Sequence, residues 1–310
     1  TINTIKLKMI KSTLKLVAAI VLFASCNQYE KAPSGMLYKI THGSGNSKPL
    51  AQGQYVKLNI EYKLKSKDTV LSSTYGVIPV YFPIDTTRLG KYTFTEIITK
   101  CKKGDKIEFS LSIDTLVKMG AVQVNEVFKA KDIILGKAEI LDVFADVTKV
   151  DDDYKKEMAA EKNREINAIK AYLAKNKINA VQSPDGVFVV VKEAGDATNK
   201  VDSTKIASVY YKGYNFKGET FDTNINPKDS ASKPFEVKIA TNSVIQGWDI
   251  GLQYFGKGGK GSLYIPAMLA YGPQPNGQIK AYENLAFDIE VVDVTSKSMS
   301  APPSPVGVKK

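Results

Sequence analysis

The side chains best suited to chemistry in this chain are aromatic residues gathered near its C-terminal end. Residues 244–252 read Val-Ile-Gln-Gly-Trp-Asp-Ile-Gly-Leu, an apolar run that holds the only Trp of the protein, directly after a Gly. Two related segments follow, Leu-Tyr-Ile-Pro at 263–266 and Leu-Ala-Tyr-Gly at 269–272. Such residues can build a dry pocket that holds an apolar group and aligns a few hydrogen-bond donors around it.

Covalent and metal chemistry have few candidate residues. The 310 residues include one His, His42 in a Gly- and Ser-rich turn, and two Cys, Cys26 and Cys101. This inventory excludes a Ser-His-Asp triad and a His-rich metal site. If Cys26 is modified, Cys101 has no partner for an internal disulfide, and we expect it to be buried and inert.

Six motifs between Tyr210 and Asp293 resemble the FKBP-type peptidyl-prolyl isomerases in order and spacing. They are Val-Tyr-Tyr-Lys-Gly at 209–213, Gly-Glu-Thr-Phe-Asp at 218–222, Pro-Phe at 234–235, the Trp segment, Ala-Tyr-Gly at 270–272 and Leu-Ala-Phe-Asp at 285–288. Each motif is weak alone, but their agreement in order is specific. The resemblance implies prolyl isomerase activity without a cofactor or metal. It also implies an antiparallel sheet curled around one short helix that starts near Ile245.

The same resemblance places ten residues in a substrate pocket. Six would be catalytic: Tyr211, Asp222, Ile245, Trp248, Tyr271 and Phe287. Four would contact the substrate: Phe221, Phe235, Val244 and Ile279. Trp248 would be the floor beneath a prolyl ring, between walls formed by Tyr211, Phe235 and Phe287. The alternative interpretation is that these aromatic side chains are ordinary sheet core, where most such residues lie.

Rotation about an X–Pro bond needs no nucleophile, because no covalent bond is made or broken. The barrier of about 18–20 kcal/mol is the cost of breaking planar resonance. A less polar pocket favours the twisted bond over the planar, charge-separated one, which is the differential binding that catalysis requires. By the resemblance, the Ile245 N–H and the Tyr271 hydroxyl would donate to substrate carbonyls, and Asp222 would orient Tyr211.

The chain departs from the family pattern beside the last strand. Ile-Lys-Ala-Tyr at 279–282 stands where an Ile-Pro-Pro stretch is usual, and the preceding loop, 273–278, is slightly short. These changes affect the expected substrate preference and rate more than the fold. They leave an alternative function, a non-catalytic peptide-binding chaperone or envelope scaffold that uses the same fold.

An earlier block resembles the same family weakly. Glu-Ile-Leu-Asp-Val at 139–143 and Glu-Val-Val-Asp-Val at 290–294 indicate an internal repeat. Alternating or β-branched runs predict strands in both blocks, at 55–62, 109–113, 138–143, 187–191, 208–211, 235–239 and 287–294. The first block has Leu-Ser-Ser at 71–73 where Phe-Asp-Ser is expected, and no Trp. We therefore expect a degenerate domain without a pocket floor, with a structural or partner-binding role.

The segment between the blocks is predicted to be a connecting helix, residues 151–180. It opens with three Asp, which suit a helix N-terminus, and Ile166, Ile169 and Leu173 share one side. This helix is either a solvated spacer or an arm through which the chain forms a homodimer. The sequence thus predicts an α+β protein of two FKBP-like domains, 37–150 and 181–297, joined by a helix.

The N-terminal region predicts export. Lys11 and Lys15 precede an apolar run at 16–23 that is too short to span a bilayer but suits a signal peptide. Leu-Phe-Ala-Ser-Cys at 22–26 resembles a bacterial lipoprotein box. We expect residues 1–25 to be the signal peptide, Cys26 to carry lipid, and 26–36 to be a polar tether to a membrane of the bacterial cell envelope, facing periplasm or surface. An ordinary secretory signal or a buried helix is the alternative.

The formal net charge of +11 does not predict nucleic-acid binding. The charges are scattered, acids and bases nearly cancel over residues 181–297, and no basic block is interleaved with aromatic residues. Residues 298–310 are rich in Pro and are predicted to be a disordered tail. The expected partners are proline-containing polypeptides, together with a membrane reached through lipid on Cys26.

Overall fold

The computed structural model describes residues 28–225 and 232–296. Most of the strands predicted from alternating apolar and polar residues are present in it. The chain divides into two units, with the boundary between Glu157 and Met158. Each unit is α+β, which confirms the predicted class: one antiparallel sheet with a few short helices. The signal segment, Cys26 and the tail at 298–310 lie outside the described residues. Within the described ranges, no helix is both long and apolar enough to cross a membrane.

The first unit is a seven-stranded antiparallel sheet in the order β1-β2-β6-β7-β3-β4, with β5 paired to β3. A 3-10 helix at Phe94–Lys100 leads into β6, and helix α1 (Ile113–Lys118) follows it. The strands are β1 (Glu30–Lys31), β2 (Leu37–Thr41), β3 (Tyr55–Leu64), β4 (Thr69–Ser73), β5 (Val80–Pro83), β6 (Lys106–Ser112) and β7 (Ile133–Phe144).

The second unit repeats this plan in the order β11-β10-β14-β13-β9-β8, with β12 paired to β10. Helix α3 (Gln246–Gly251) and 3-10 turns at Leu252–Tyr254 and Ala267–Leu269 flank β13. The strands are β8 (Val181–Gln182), β9 (Phe188–Glu193), β10 (Ile206–Asn215), β11 (Thr220–Thr223), β12 (Phe235–Lys238), β13 (Lys260–Ile265) and β14 (Leu285–Thr295).

The two sheets correspond strand by strand and in register. The pairing of β3 with β7 shifts between Lys57 and Leu58, and that of β10 with β14 shifts at the matching place, between Ser208 and Val209. Glu139 and Glu290, the first residues of the repeated endings, occupy equivalent positions. The internal repeat predicted from those endings is therefore a repeat of topology.

The long helix α2 spans Val147–Lys175, so the predicted span of 151–180 is shifted toward the C-terminus. The predicted start at the three Asp is wrong because Asp146 caps the helix: its carboxylate accepts from the Lys149 N–H at 3.0 Å. Asp153 instead accepts from Lys57 of β3 at 2.6 Å. The Asp153 carboxylate, which we expected at the helix N-terminus, thus pairs with a lysine of a strand distant in sequence.

The predicted tether at 26–36 is also wrong over its described part. β1 pairs with β2, with Glu30 opposite Tyr38. Met36 is fully buried and Ala32 is nearly so, both in the core of the first unit. These apolar side chains hold the segment against the sheet, so from Glu30 onward it belongs to the folded unit.

Candidate active site

Helix α3 carries Trp248 and lies close against β13 because two of its residues are glycines. A Cβ at Gly247 would overlap Cγ2 of Ile265, and a Cβ at Gly251 would come within 2.6 Å of Leu263. Both partners are inward-facing residues of β13. The absence of side chains at 247 and 251 lets the helix approach, and Trp248 is left only 4% exposed. The Gly before the Trp is thus a packing requirement.

Three aromatic rings stand edge-on around the Trp248 ring. The ring centroids of Tyr211, Phe287 and Phe235 lie 5.1, 5.3 and 6.4 Å from it, at interplanar angles of 87°, 89° and 75°. They come from three different strands, β10, β14 and β12. Edge-to-face contacts of this kind are favourable for aromatic quadrupoles. The result is a box with an indole floor and three aromatic walls.

Tyr211 is fixed at both its main chain and its hydroxyl. Its N–H donates to the Asn224 side chain at 2.7 Å, and its hydroxyl donates to Oδ2 of Asp222 at 2.7 Å. Burial, and then the hydrogen bond to the Asp222 carboxylate, raise the pKa of Tyr211 well above its usual range. The hydroxyl therefore stays protonated at every physiological pH and keeps donating to Asp222.

The loop before α3 supplies three further residues of the box. Ile245 is the N-cap residue of α3, with extended backbone, so its N–H precedes the hydrogen-bond ladder of the helix. Val244 and Ser243 precede it in a loop that turns at Ala240 and Asn242, both with positive φ. The Asp249 side chain holds the loop by accepting from the Ala240 N–H at 3.1 Å.

Tyr271 stands at the mouth of the box and is 37% exposed. It follows the 3-10 turn at Ala267–Leu269, and Gly272 after it has φ of +59°, which glycine adopts without strain. The Gly272 N–H donates to Ala267 at 2.8 Å, and its carbonyl accepts from Tyr282 at 2.8 Å. These bonds fix the main chain that presents the Tyr271 ring.

These elements enclose a cavity of about 190 Å³. Its lining contains eight of the ten sequence-predicted residues and one that the sequence analysis missed, Ser243. Phe221 and Ile279 are not in the lining: Phe221 packs edge-on behind Phe287 at 5.6 Å, and Ile279 is buried in the core. Ser243 carried no signal of its own, although its position directly before Val244 marks it in retrospect.

The altered loop near Ile279 forms a tight turn. Asn276 and Ile279 exchange backbone hydrogen bonds, each 2.9 Å long, around Gly277, which has positive φ. This turn directs the Ile279 side chain into the core of the unit. Ile279 therefore lies in the same core cluster as Trp248 and not in the cavity lining, and its contact with substrate stays a prediction.

The equivalent region of the first unit is filled by its own side chains. In register, Ile60, Ser72, Val80 and Gly136 stand where the second unit has Tyr211, Asp222, Phe235 and Phe287. The Phe109 ring lies so close over Gly136 that a Cβ there would overlap it. The Phe109 ring also stacks on Phe94, with 5.9 Å between the ring centroids. Phe94 is equivalent to Trp248, because each lies the same number of residues before its strand, β6 or β13. Core packing has taken the place of the box.

Comparison with known proteins agrees with the motifs. The family model described as FKBP-type peptidyl-prolyl cis-trans isomerase matches residues 197–292. FkpA of Buchnera aphidicola, named as an FKBP-type peptidyl-prolyl cis-trans isomerase, is 33% identical over 201 residues, which are 63% of this chain and 77% of that protein. The chain belongs to the FKBP-type peptidyl-prolyl cis–trans isomerase family. The family and the enzyme class predicted from the motifs are thereby confirmed.

Other FKBP-type proteins match over shorter stretches. A probable FKBP-type isomerase of Haemophilus influenzae is 34% identical over 143 residues, 46% of this chain and 56% of that protein. The crystal structure of FkpA from Escherichia coli is similar with 28% identity and a TM-score of 0.36, covering 48% of this chain and 70% of that one. The protein is an FKBP-type peptidyl-prolyl isomerase, and residues 197–292 of the family match contain all ten residues predicted for the pocket and the whole of helix α3 with Trp248.

Proposed function

We propose that the box around Trp248 is where the enzyme isomerises X–Pro bonds. The observation that carries the proposal is the set of three rings standing edge-on around one buried indole. The cavity of about 190 Å³ is smaller than the roughly 300 Å³ at which drug-sized pockets begin, so it suits a single prolyl ring. Trp248 is the floor; Tyr211, Phe235 and Phe287 are the walls.

The polar groups at the rim hold the peptide on either side of the ring. The Ile245 N–H and the Tyr271 hydroxyl donate to substrate carbonyls, and Asp222 holds the Tyr211 ring in place. Support comes from the extended backbone at Ile245 and from the partial exposure of Tyr271 at the mouth of the cavity. Binding the chain at both ends while the imide twists between them fixes its orientation.

The rate enhancement comes from the low polarity of the box. A planar imide carries charge separation that water stabilises, and the twisted imide loses much of it. Excluding water therefore raises the free energy of the planar form relative to that of the twisted form. Fixed hydrogen-bond donors favour the twisted geometry further. No side chain needs to exchange a proton with the substrate. The activity should therefore change little with pH over the range in which the fold is intact.

A protease-coupled isomerisation assay on a short X–Pro peptide tests this assignment with matched variants. Trp248→Leu keeps an apolar floor but loses three ring contacts of roughly 0.5–1.5 kcal/mol each, so kcat/KM should fall about tenfold or more. Phe94→Leu changes the equivalent residue of the first unit and should leave kcat/KM unchanged. Equal losses in both variants, with both still folded by circular dichroism, would refute the box as the site.

We propose that the first unit, which corresponds to the predicted domain 37–150, is a second FKBP-like domain without a catalytic role. The repeated strand order and register support the relationship, and the Phe109 ring packed over Gly136 supports the loss of the site. Helix α2 serves as the connector to the isomerase domain, 181–297. A homodimer through α2 would have to use a face other than Ile166, Ile169 and Leu173, which pack on the chain's own sheet.

We propose that the protein assists folding of exported proteins at the bacterial cell envelope, anchored by lipid on Cys26. The lipoprotein-box resemblance at 22–26 supports the anchor, and slow X–Pro isomerisation, tens to hundreds of seconds uncatalysed, is the step relieved. Cys26→Ser should release the protein from membranes or block its processing, whereas Cys101→Ser should not. An unmodified Cys26 at the mature N-terminus, seen by mass spectrometry, would exclude the anchor.

A further inference from the structure

The second unit contains another cavity, formed between helix α2, which packs on a face of the sheet, and the segment that follows β13. Its volume is about 400 Å³, roughly twice that of the aromatic box. Apolar side chains make most of its wall, among them Met158, Pro266, Met268 and Leu269. The established family activity assigns nothing to this cavity.

One buried carboxyl group lines this cavity without full hydrogen bonding. Glu165 is only 4% exposed; its Oε2 accepts from the Met268 N–H at 3.0 Å. Its Oε1 is buried and has no hydrogen-bond partner among the described residues. The nearest arginine in sequence, Arg164, pairs with Glu161 instead. A buried acceptor left unpaired destabilises the folded state, and such groups in native proteins usually mark a missing partner.

The charged side chains that line the cavity sum to a net negative charge when Glu165 is ionised. Burial raises its pKa to about 7; the Met268 N–H opposes this rise, neighbouring Glu161 adds to it, and Arg164 opposes it. At the exposed rim the cavity carries Asp185 and Lys162, one charge of each sign. The cavity lining therefore includes two carboxyl groups and one ammonium group, and the unpaired Oε1 belongs to the buried carboxyl.

The cavity also adjoins the aromatic box through shared elements. Gln246 lines the cavity and directly follows Ile245, which lines the box. Leu269 lines the cavity and stands two residues before Tyr271, at the mouth of the box. The cavity and the box are therefore lined by the same two segments of the chain, one at the start of α3 and one after β13.

We propose that this cavity is a second substrate subsite, which takes a lysine side chain of the polypeptide whose prolyl residue lies in the aromatic box. The apolar wall would pack along the four-carbon stem, and the ammonium group would donate to Oε1 of Glu165. An anionic side chain would be repelled by the two carboxyl groups. A purely apolar one would leave Oε1 unpaired. The inference rests on the proposed function of the box.

Binding of two peptide series to the full chain tests the subsite. Each peptide contains one X–Pro bond, and either lysine or its uncharged isostere norleucine at one position on either side. We expect the wild-type chain to prefer lysine about tenfold at one or two positions, since only the lysine ammonium group can donate a hydrogen bond to Oε1 of Glu165. Glu165→Gln should abolish the preference without weakening norleucine peptides. Lys170→Gln, the matched control at an exposed position of the same helix outside the cavity lining, should keep it.

The outcomes separate this inference from the proposed function. Absence of any lysine preference in the wild-type chain, or an equal loss for both series in Glu165→Gln, would overturn the subsite. A second arm needs no isomerisation: n-hexylamine should shift the carboxyl ¹³C signal that Glu165→Gln removes, and an unmoved signal would also overturn it. Failure of the aromatic box would show instead as activity on lysine-free peptides that Trp248→Leu does not reduce.

Discussion

At the scale of single residues, the hydroxyl of Tyr211 is the most constrained polar group of the box. It is held by one hydrogen bond to Asp222 at 2.7 Å, and the ring it orients touches Trp248, Phe235 and Phe287. The role of this hydrogen bond can be tested by mutation, because either Tyr211 or Asp222 can lose it without a change in the shape of the cavity.

We predict that Tyr211→Phe and Asp222→Asn each lower kcat/KM by about threefold to tenfold, the usual range for one net hydrogen bond. Both changes remove the same tether, so the double variant should be little worse than either single one. Steady-state rates on one X–Pro peptide give the comparison. Fully additive losses would mean that Asp222 acts independently of the Tyr211 ring.

The stability of the protein should depend on pH through Glu165. Its carboxyl pKa is raised from the ordinary 4.5 to about 7, so between those values the folded state holds a proton that the unfolded state has lost. Stability should therefore be full below about pH 4.5, fall as the pH rises to about 7, and stay lower above it. The loss should be on the order of 2–3 kcal/mol.

Urea unfolding of the wild-type chain and Glu165→Gln isolates this contribution, because the two proteins share every other titrating group. Relative to wild type, the variant should gain stability between about pH 4.5 and pH 8. A stability difference that does not change with pH would show that the Glu165 carboxyl has the same pKa in the folded and unfolded states.

The family resemblance predicted most of the box, and its exceptions have physical causes. Trp248 was predictable because the only Trp follows a Gly inside an apolar run. Ile279 was placed at the surface of the cavity, but the turn at Asn276 sends it into the core. Ser243 depends on a loop in which Ala240 and Asn242 take positive φ, a conformation that is uncommon for Ala and that its residue type does not predict.

At the scale of elements, the close approach of α3 to β13 positions the floor of the box. Gly247 and Gly251 are one helical turn apart, and each faces a β13 side chain, Ile265 and Leu263 respectively. The sequence predicted where this helix starts to within one residue. It could not predict the start of α2, since Asp153 is used by Lys57 and Tyr81 of distant strands.

We predict that Gly247→Ala displaces α3, because the new Cβ would overlap Cγ2 of Ile265. The expected cost is about 1–3 kcal/mol of stability together with a clear fall in kcat/KM. Thermal unfolding and the peptide assay measure the two effects. Adding Ile265→Ala should recover part of the activity lost in Gly247→Ala, and no recovery would locate the clash elsewhere.

At the scale of the whole molecule, one strand plan serves two purposes. The second unit leaves a box between helix and sheet, while the first fills the equivalent space with Phe109 and Phe94. The repeat of topology was predictable from the matched endings of β7 and β14. That side chains fill this space in the first unit was only partly predictable. The missing Trp was visible in the sequence, but the packing of Phe109 over Gly136 depends on the register between β6 and β7.

We predict that activity belongs to the second unit alone. A fragment of residues 147–296 should retain most of the isomerase activity, and residues 28–146 should have none above background. A fragment of residues 181–296 should be active but less stable, because removing α2 exposes Phe188 and Tyr264, which pack against Ile166, Ile169 and Leu173. Thermal unfolding and the peptide assay on the three fragments check this. Isomerisation by residues 28–146 would contradict it.

The buried position of Trp248 also has an optical consequence. Because the chain has no other Trp, indole fluorescence excited at the red edge of its absorption arises from the floor of the box alone. Its emission wavelength and quenching report the water content of that one cavity. The protein thus carries a built-in optical probe, through which occupancy of the box can be followed without a label and separated from events in the first unit.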